Sequence, residues 1–339
     1  MVRDSLQRPL RNLRLSVTDR CNLRCAYCMP EEEYRWLDKR MLLSFEEIVR
    51  VVSVFTGLGV DRVRLTGGEP LLRQELPELV RMLAANDRIG DLAMTTNGVQ
   101  LARHAQPLRE AGLQRVTVSL DTLDRLRFQT LARRDSLPQV LDGIAAAAGT
   151  GFASLKLDSV MLKGVNDDEL LPLLRYAATV NAELRFIEYM DVGGATRWSM
   201  EQVLSRAQML ERITAEYGPV HPLVPDGSAP AERFRLSTGQ TFGIIASTTQ
   251  PFCQSCDRSR LTADGTWFTC LYARAGTDLR QALRDGASDE ALTALISSTW
   301  TARRDRGAEE RLAQEGRGPL LSAETLRGDP HLEMHTRGG

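Results

Sequence analysis

Lysine is nearly missing from this chain: Lys39, Lys156 and Lys163 are the only three among 43 Lys and Arg residues. Arginine is therefore the default cation, and a single arginine carries little functional information. A lysine in an apolar stretch carries more. Lys156 is one, within Leu155-Lys-Leu-Asp-Ser-Val-Met161, where an unpaired ammonium costs free energy. Net charge is also small, at −1, so no global basic field points to nucleic acid. No apolar run approaches the ~18 residues of a membrane span. Residues 1–15 lack the uninterrupted apolar core of a signal peptide. These absences imply a cytoplasmic protein with neither a nucleic-acid nor a membrane partner. No low-complexity tract interrupts the 339 residues, which suffice for one large α/β domain or two units.

β-type runs at 13–17, 62–66, 92–96, 115–120, 155–161 and 183–189 alternate with helical patterns. Those patterns lie at 44–55, 75–85, 101–111, 137–148, 168–180 and 202–217. Ser44-Phe-Glu-Glu47 fits a capping box at the first helix. Such alternation implies a parallel sheet. Six units fall short of the eight of a complete barrel, so an incomplete barrel and a doubly wound sheet both fit. Polar motifs recur at the carboxyl ends of the strands: Thr66-Gly-Gly-Glu-Pro70, Thr95-Thr-Asn-Gly98 and Ser119-Leu-Asp121. Ligands bind at that edge in either architecture.

The texture changes near Val220. A loop over 221–230 precedes hairpin-like runs at 232–237 with 241–247, and at 260–262 with 266–270. A helical region follows from 279 to 303, and an irregular segment, 327–339, ends in Gly338-Gly339. The division that results is a core over 8–220 and a smaller C-terminal α+β unit over 221–339.

The six cysteines fall into two triplets, which in a cytosolic chain indicates metal ligation or catalysis before disulfides. Cys21-Asn-Leu-Arg-Cys25-Ala-Tyr-Cys28 has C-x3-C-x2-C spacing just after the first strand. A [4Fe–4S] cube takes one thiolate on each iron, so three ligands leave one iron open to chelate a small molecule. Zinc with three protein ligands and inert buried thiols are the bland alternatives, and no His lies nearby. Cys253-Gln-Ser-Cys256 with Cys270 gives C-x2-C-x13-C. Taken alone it fits zinc better than a cluster, with His221 upstream. Its partnership with the first triplet reverses that preference. Two open sites then suggest a division of labour, one holding a cofactor to be cleaved and the other a substrate.

The first triplet, with Tyr27 before its last cysteine and Gly67-Gly-Glu-Pro70 after the next strand, resembles the radical S-adenosylmethionine (SAM) superfamily. The resemblance implies a partial (β/α)6 TIM-like barrel whose open side is closed by the C-terminal unit. It also implies that the open iron chelates SAM, whose reductive cleavage yields a 5′-deoxyadenosyl radical. Further stretches resemble the GTP 3′,8-cyclase family of molybdenum cofactor biosynthesis. They include 13–19, 63–70, 95–98, 118–121, Arg185-Phe-Ile-Glu-Tyr-Met190, Phe252-Cys-Gln-Ser-Cys-Asp-Arg-Ser-Arg260 and the terminal Gly-Gly.

By that resemblance Cys21, Cys25 and Cys28 hold the SAM cluster, and Tyr27, Gly68, Ser119 and Met190 line SAM. Cys253, Cys256 and Cys270 hold a second [4Fe–4S] cluster that meets the guanine edge. Arg14, Arg64, Thr95, Lys156, Arg258, Ser259 and Arg260 contact GTP, Arg14 also assists the reductive step, and Gly338 and Gly339 enter the active site. Arginine forks suit phosphate oxygens, and Arg258 and Arg260 share one face of an extended run. The implied partners are GTP, an external electron donor, and a downstream cyclic pyranopterin monophosphate synthase that takes the product, for a monomer or homodimer. The chain departs from the family at Asp158, where Asn is frequent, at Asp257, and at Thr336-Arg337, where an aliphatic residue is common. Two rival readings are a peptide-modifying radical SAM enzyme, a class that usually carries more cysteines, and a non-catalytic zinc protein.

Overall fold

The structure, a computed structural model, describes residues 1–224 and 227–338. Its centre is the six-strand pattern read from the sequence: β1 (Asn12–Ser16), β2 (Arg62–Thr66), β3 (Asp91–Thr96), β4 (Arg115–Ser119), β5 (Ser154–Met161) and β6 (Glu183–Glu188), all parallel. Crossover helices connect them: α1 (Phe45–Gly57), α2 (Leu76–Ala84), α3 (Leu101–Glu110), α4 (Arg125–Ala132), α5 (Leu137–Gly149), α6 (Leu170–Thr179) and, after β6, α7 (Arg206–Tyr217). The capping box forms, with Ser44 Oγ accepting from the Glu47 amide and Glu47 accepting from the Ser44 amide. α4 is the helix the sequence reading omits. Its buried apolar residues Phe128, Leu131 and Ala132 are few and lie late in the segment, and Leu126 near its start is exposed.

Strand alternation decides what faces inward. Along β5, Leu155, Leu157, Ser159 and Met161 are buried, while Lys156, Asp158 and Val160 are half-buried and point to the hollow inside of the sheet. The apolar face packs on the surrounding helices, where Leu79, Leu108, Val140, Ile144 and Leu173 are fully buried. About 25 cal/mol per Å² of apolar burial favours this layer.

The chain after 221 does not build a separate sheet. β7 (His221–Pro222), β8 (Glu232–Arg235) and β9 (Thr241–Ile245) form antiparallel ladders, and β9 then pairs parallel to β6. β10 (Arg258–Leu261) pairs parallel to β1, and β11 (Thr266–Phe268) and β12 (Thr277–Asp278) add antiparallel beside it. The result is one twelve-stranded sheet, β12-β11-β10-β1-β2-β3-β4-β5-β6-β9-β8-β7. The C-terminal strands thus extend the partial barrel from both edges.

Two local expectations change. The helix read from 279 to 303 is broken in two, Leu279–Arg284 and Asp289–Thr301. Gly286 at φ 80 turns the chain between them and Ser288 caps the second. The segment read as irregular contains a 3-10 turn, Pro330–Leu332, and a short helix, Met334–Arg337, with His335, Thr336 and Arg337 buried. Among the described residues no helix is long and apolar enough to cross a membrane.

Candidate active site

A cavity of about 420 Å³ runs through the inside of the sheet, from Asp91 and Arg115 at the amino ends of β3 and β4 to Cys21, Gly68 and Ser119 beyond the carboxyl ends. All six cysteines line it. The first triplet sits on the loop after β1, held from outside by α4: the Arg24 amide donates to the Ala132 carbonyl at 2.9 Å and the Ala26 amide to the Leu131 carbonyl at 2.8 Å. Burial, reinforced by neighbouring acids and by the other thiols, pushes Cys21 up to about 11 and Cys25 and Cys28 higher still. Lone thiolates are therefore disfavoured here, and a bound cation reverses that preference.

The second triplet is held by buried basic side chains. Arg8 donates to the Cys253 carbonyl at 2.8 Å and Arg303 to the Cys256 carbonyl at 2.9 Å, and Asp4 binds both guanidiniums. Burial pushes the Cys256 thiol up, yet Arg258 and Arg303, with hydrogen bonds from the Arg258 backbone and side chain, outweigh it and bring the thiol down to about 6. The Cys256 thiol is thus shifted toward its anionic form. Arg258 is fixed over the Phe252 ring, 4.6 Å from its centroid.

Among the described residues, no three His, Cys, Asp or Glu side chains are placed to bind a single metal ion. A cube takes one thiolate on each of three irons, whereas tetrahedral zinc takes all of its ligands on one ion. His221, the upstream alternative ligand, is exposed on β7 and does not line the cavity.

Between the triplets lies a bank of cations. Arg14, Arg64, Arg258 and Arg260 line the cavity and, among the described residues, form no contact ion pair with a carboxylate. Burial first, then Arg260, Arg258 and Arg64, hold Arg14 well below the usual guanidinium range. Burial with Arg258 and Arg337 brings Arg260 down to about 9, and burial is the largest influence bringing Arg64 to about 10. Mutual repulsion of this kind is relieved by a bound polyanion. Arg64 donates to the Thr95 and Thr117 hydroxyls at 3.1 Å each, which places Thr95 beside it. Lys156 lies 3.6 Å from Glu183, and burial, then Arg185, bring its ammonium down to about 8.

Residues 15–177 match the radical SAM superfamily, and residues 182–309 match Molybdenum Cofactor Synthesis C. GTP 3′,8-cyclase 1 of Mycobacterium tuberculosis is 54% identical over 342 residues, spanning 100% of this chain and 95% of that protein. The chain belongs to the GTP 3′,8-cyclase family. GTP 3′,8-cyclases of Acidothermus cellulolyticus and Staphylococcus aureus are 50% and 41% identical, spanning 91% and 92% of this chain and 88% and 94% of their own lengths. The solved structure of Streptococcus suis SuiB bound to S-adenosylmethionine superposes with a TM-score of 0.62 at 14% identity. It spans 91% of this chain and 71% of that one. That likeness bears on the fold, which is the partial barrel of the superfamily.

Within this family frame, most residues named from the sequence meet in one place. Tyr27, Gly68, Ser119 and Met190 line the cavity with the first triplet. Gly68 is required sterically, because a Cβ there would lie 2.3 Å from the Arg20 carbonyl oxygen. Ser259 is the exception. It is buried, it does not line the cavity, and strand alternation turns it from the face that carries Arg258 and Arg260. Gly338 sits at the carboxyl end of β2, where its carbonyl accepts from Arg260 and a Cβ would meet Thr66 at 2.2 Å. Gly339 lies outside the described residues. In place of the usual aliphatic residue, Arg337 lays its guanidinium 4.0 Å from the Phe268 centroid and donates to the His331 and Leu271 carbonyls.

Three cavity residues escaped assignment. Arg185 points inward from β6, 3.1 Å from Glu183. Asp121 accepts the Tyr27 hydroxyl proton at 2.6 Å, and burial raises it to about 6. Asn97 reaches within 3.8 Å of Cys21 Sγ. All three stood inside quoted motifs, and period-two alternation from Glu183 was the available signal for Arg185.

Proposed function

We propose that this chain converts GTP into 3′,8-cyclo-7,8-dihydro-GTP with SAM and two [4Fe–4S] clusters, one on Cys21, Cys25 and Cys28 and the other on Cys253, Cys256 and Cys270. The observation that carries this reading is one cavity lined by both cysteine triplets and by a bank of arginines that, among the described residues, no carboxylate pairs. When bound, SAM and the clusters would supply a radical able to take hydrogen from the ribose 3′ carbon, so that this carbon joins carbon 8 of guanine.

The chain's own share is binding, orientation and exclusion of water. Tyr27, Gly68, Ser119 and Met190 form the SAM wall. Arg258, Arg260, Arg14, Arg64 and Lys156 grip the triphosphate, with Arg185 beside Lys156. Arg14, at the centre of the bank, also serves as the charged donor nearest the reductive step. The carbonyl of Gly338 holds Arg260 in place, so Gly338 tightens the substrate site. Each turnover would draw two electrons from an external donor, one for SAM cleavage and one, with a proton, for the guanine-centred radical left by ring closure, and the cyclised nucleotide passes to a cyclic pyranopterin monophosphate synthase in the cytoplasm.

Anaerobically reconstituted protein given SAM, dithionite and GTP should form 5′-deoxyadenosine together with the cyclised nucleotide. SAM cleavage that responds to an added peptide and not to GTP would favour the peptide-modifying alternative.

Lys156 gives a pH signature. Its folded pKa of about 8 lies below the free value of 10.5, so the ammonium is present below pH 8 and is lost above it. GTP affinity should therefore fall as pH rises through 8, by about tenfold for one charge-assisted contact. Lys156→Met should bind weakly throughout and lack that component. Without GTP the sign reverses: between pH 8 and 10.5 the unfolded chain binds more protons, so stability rises with pH. Isothermal titration and thermal melts across this window check both slopes.

A further inference from the structure

Asp158 stands apart from the other acids of the cavity wall. Asp91 is tied to Arg115, Asp121 to the Tyr27 hydroxyl and the Val160 amide, and Asp257 to Asn12 and Ser228. Glu188 accepts from Arg206 and Thr249. Asp158 also faces the cavity. Its Oδ1, like that of Asp257, is enclosed without a partner, but Asp257 keeps two donors on its other oxygen, whereas among the described residues no hydrogen bond or ion pair reaches the Asp158 carboxylate. A buried carboxylate oxygen without a donor is costly, and a functional site is where such a group persists.

Its position says what belongs there. Asp158 follows Lys156 by two residues on the inward face of β5, about 7 Å nearer the carboxyl edge. In register it stands beside Ser119 of β4 and Arg185 of β6. On one side lie Lys156 and the arginine bank, where Arg14 and Arg64 both feel its charge. On the other lie Ser119 and the Tyr27–Asp121 pair next to the first cysteines. An ionised carboxylate only accepts hydrogen bonds, so it repels phosphate and receives a hydroxyl. A nucleotide whose phosphates lie on the arginines and whose 3′ carbon must reach the SAM side lays its ribose across this level. Resting on the cyclase reading above, we propose that Asp158 accepts a ribose hydroxyl of GTP, and thereby sets the height of the 3′ carbon and selects ribonucleotides.

The test is equilibrium dialysis of the anaerobically reconstituted protein with GTP, 2′-deoxyGTP and 3′-deoxyGTP, for the wild type, Asp158→Asn and Asp158→Ala. The wild type should prefer GTP over one deoxy analogue by about tenfold or more, and that analogue names the hydroxyl. Asp158→Ala should bring the ratio near one, with Asp158→Asn between, at unchanged iron content. A wild type that binds both analogues as tightly as GTP overturns the proposal. So does an Asp158→Ala variant that keeps the wild-type ratio, because a carboxylate that merely balances Arg14 and Arg64 would alter all three affinities together. Failure of the wild type to bind GTP at all would instead remove the cyclase reading on which the proposal stands.

Discussion

Replacing Arg258 and Arg260 together with alanine weakens GTP binding by about a hundredfold or more, since each charge-assisted contact contributes ~1.5–3 kcal/mol. All six cysteines are kept, although Arg258 donates to Cys256 Sγ at 3.5 Å, so iron content is measured alongside to separate loss of metal from loss of the cation bank. The loss should also be smaller than the sum of the two single variants. Arg260 and Arg258 are the second and third largest influences depressing Arg14, after burial, so removing either cation eases the crowding that the other must bear. Coupling of that sign between neighbours is what a double-mutant cycle measures. Anaerobic titration calorimetry on the two singles and the double gives both numbers. If the double variant bound GTP as tightly as the wild type, the cation bank would not be the triphosphate site.

The second large effect separates the two triplets. Alanine at Cys21, Cys25 and Cys28 should remove about half of the iron and lower 5′-deoxyadenosine formation by about a thousandfold or more, as loss of an essential reacting group does. GTP binding should survive, since the arginine bank and the second triplet are intact. Alanine at Cys253, Cys256 and Cys270 should also remove about half of the iron and weaken GTP binding, but leave SAM cleavage without GTP measurable. Iron analysis, product chromatography and GTP titration on both variants check the crossing pattern. Equal effects of the two variants on SAM cleavage and on GTP binding would contradict separate roles.

Much of this site was legible in the sequence because its residues obey local rules. The six core strands declare themselves by apolar content and punctuation, and β2, β3 and β4 end in polar motifs that the fold brings to the cavity. Glu183, Arg185 and Ile187 alternate with buried Leu184, Phe186 and Glu188, so Arg185 could have been read as inward-facing from spacing alone. Ser259 shows the same rule from the other side. It was named with its neighbours Arg258 and Arg260 as one segment, although a strand cannot turn three consecutive side chains to one face.

The long-range pairings were not legible. Nothing local to Arg258–Leu261 states that it lies parallel to β1, or that Thr241–Ile245 lies parallel to β6. Hairpin signals at 232–247 and 260–270 correctly indicated antiparallel neighbours, but the parallel joins depend on chain closure over hundreds of residues. Asp158 is a further case. The sequence shows an acid on an apolar strand, and only the fold shows that it lies among cations with an enclosed oxygen left without a donor. The tail also needed the structure, because Arg337 rests on Phe268, Leu271 and Arg260, and His335 on Tyr34 and Trp36, all far away in the chain.

The central claim is that two separate sets of three thiolates each hold a four-iron cube with one open iron. Iron and acid-labile sulfide, measured on oxygen-protected protein, test it most directly. The account predicts about eight of each per chain, four for each cube. Zinc in place of iron, without sulfide, would contradict it.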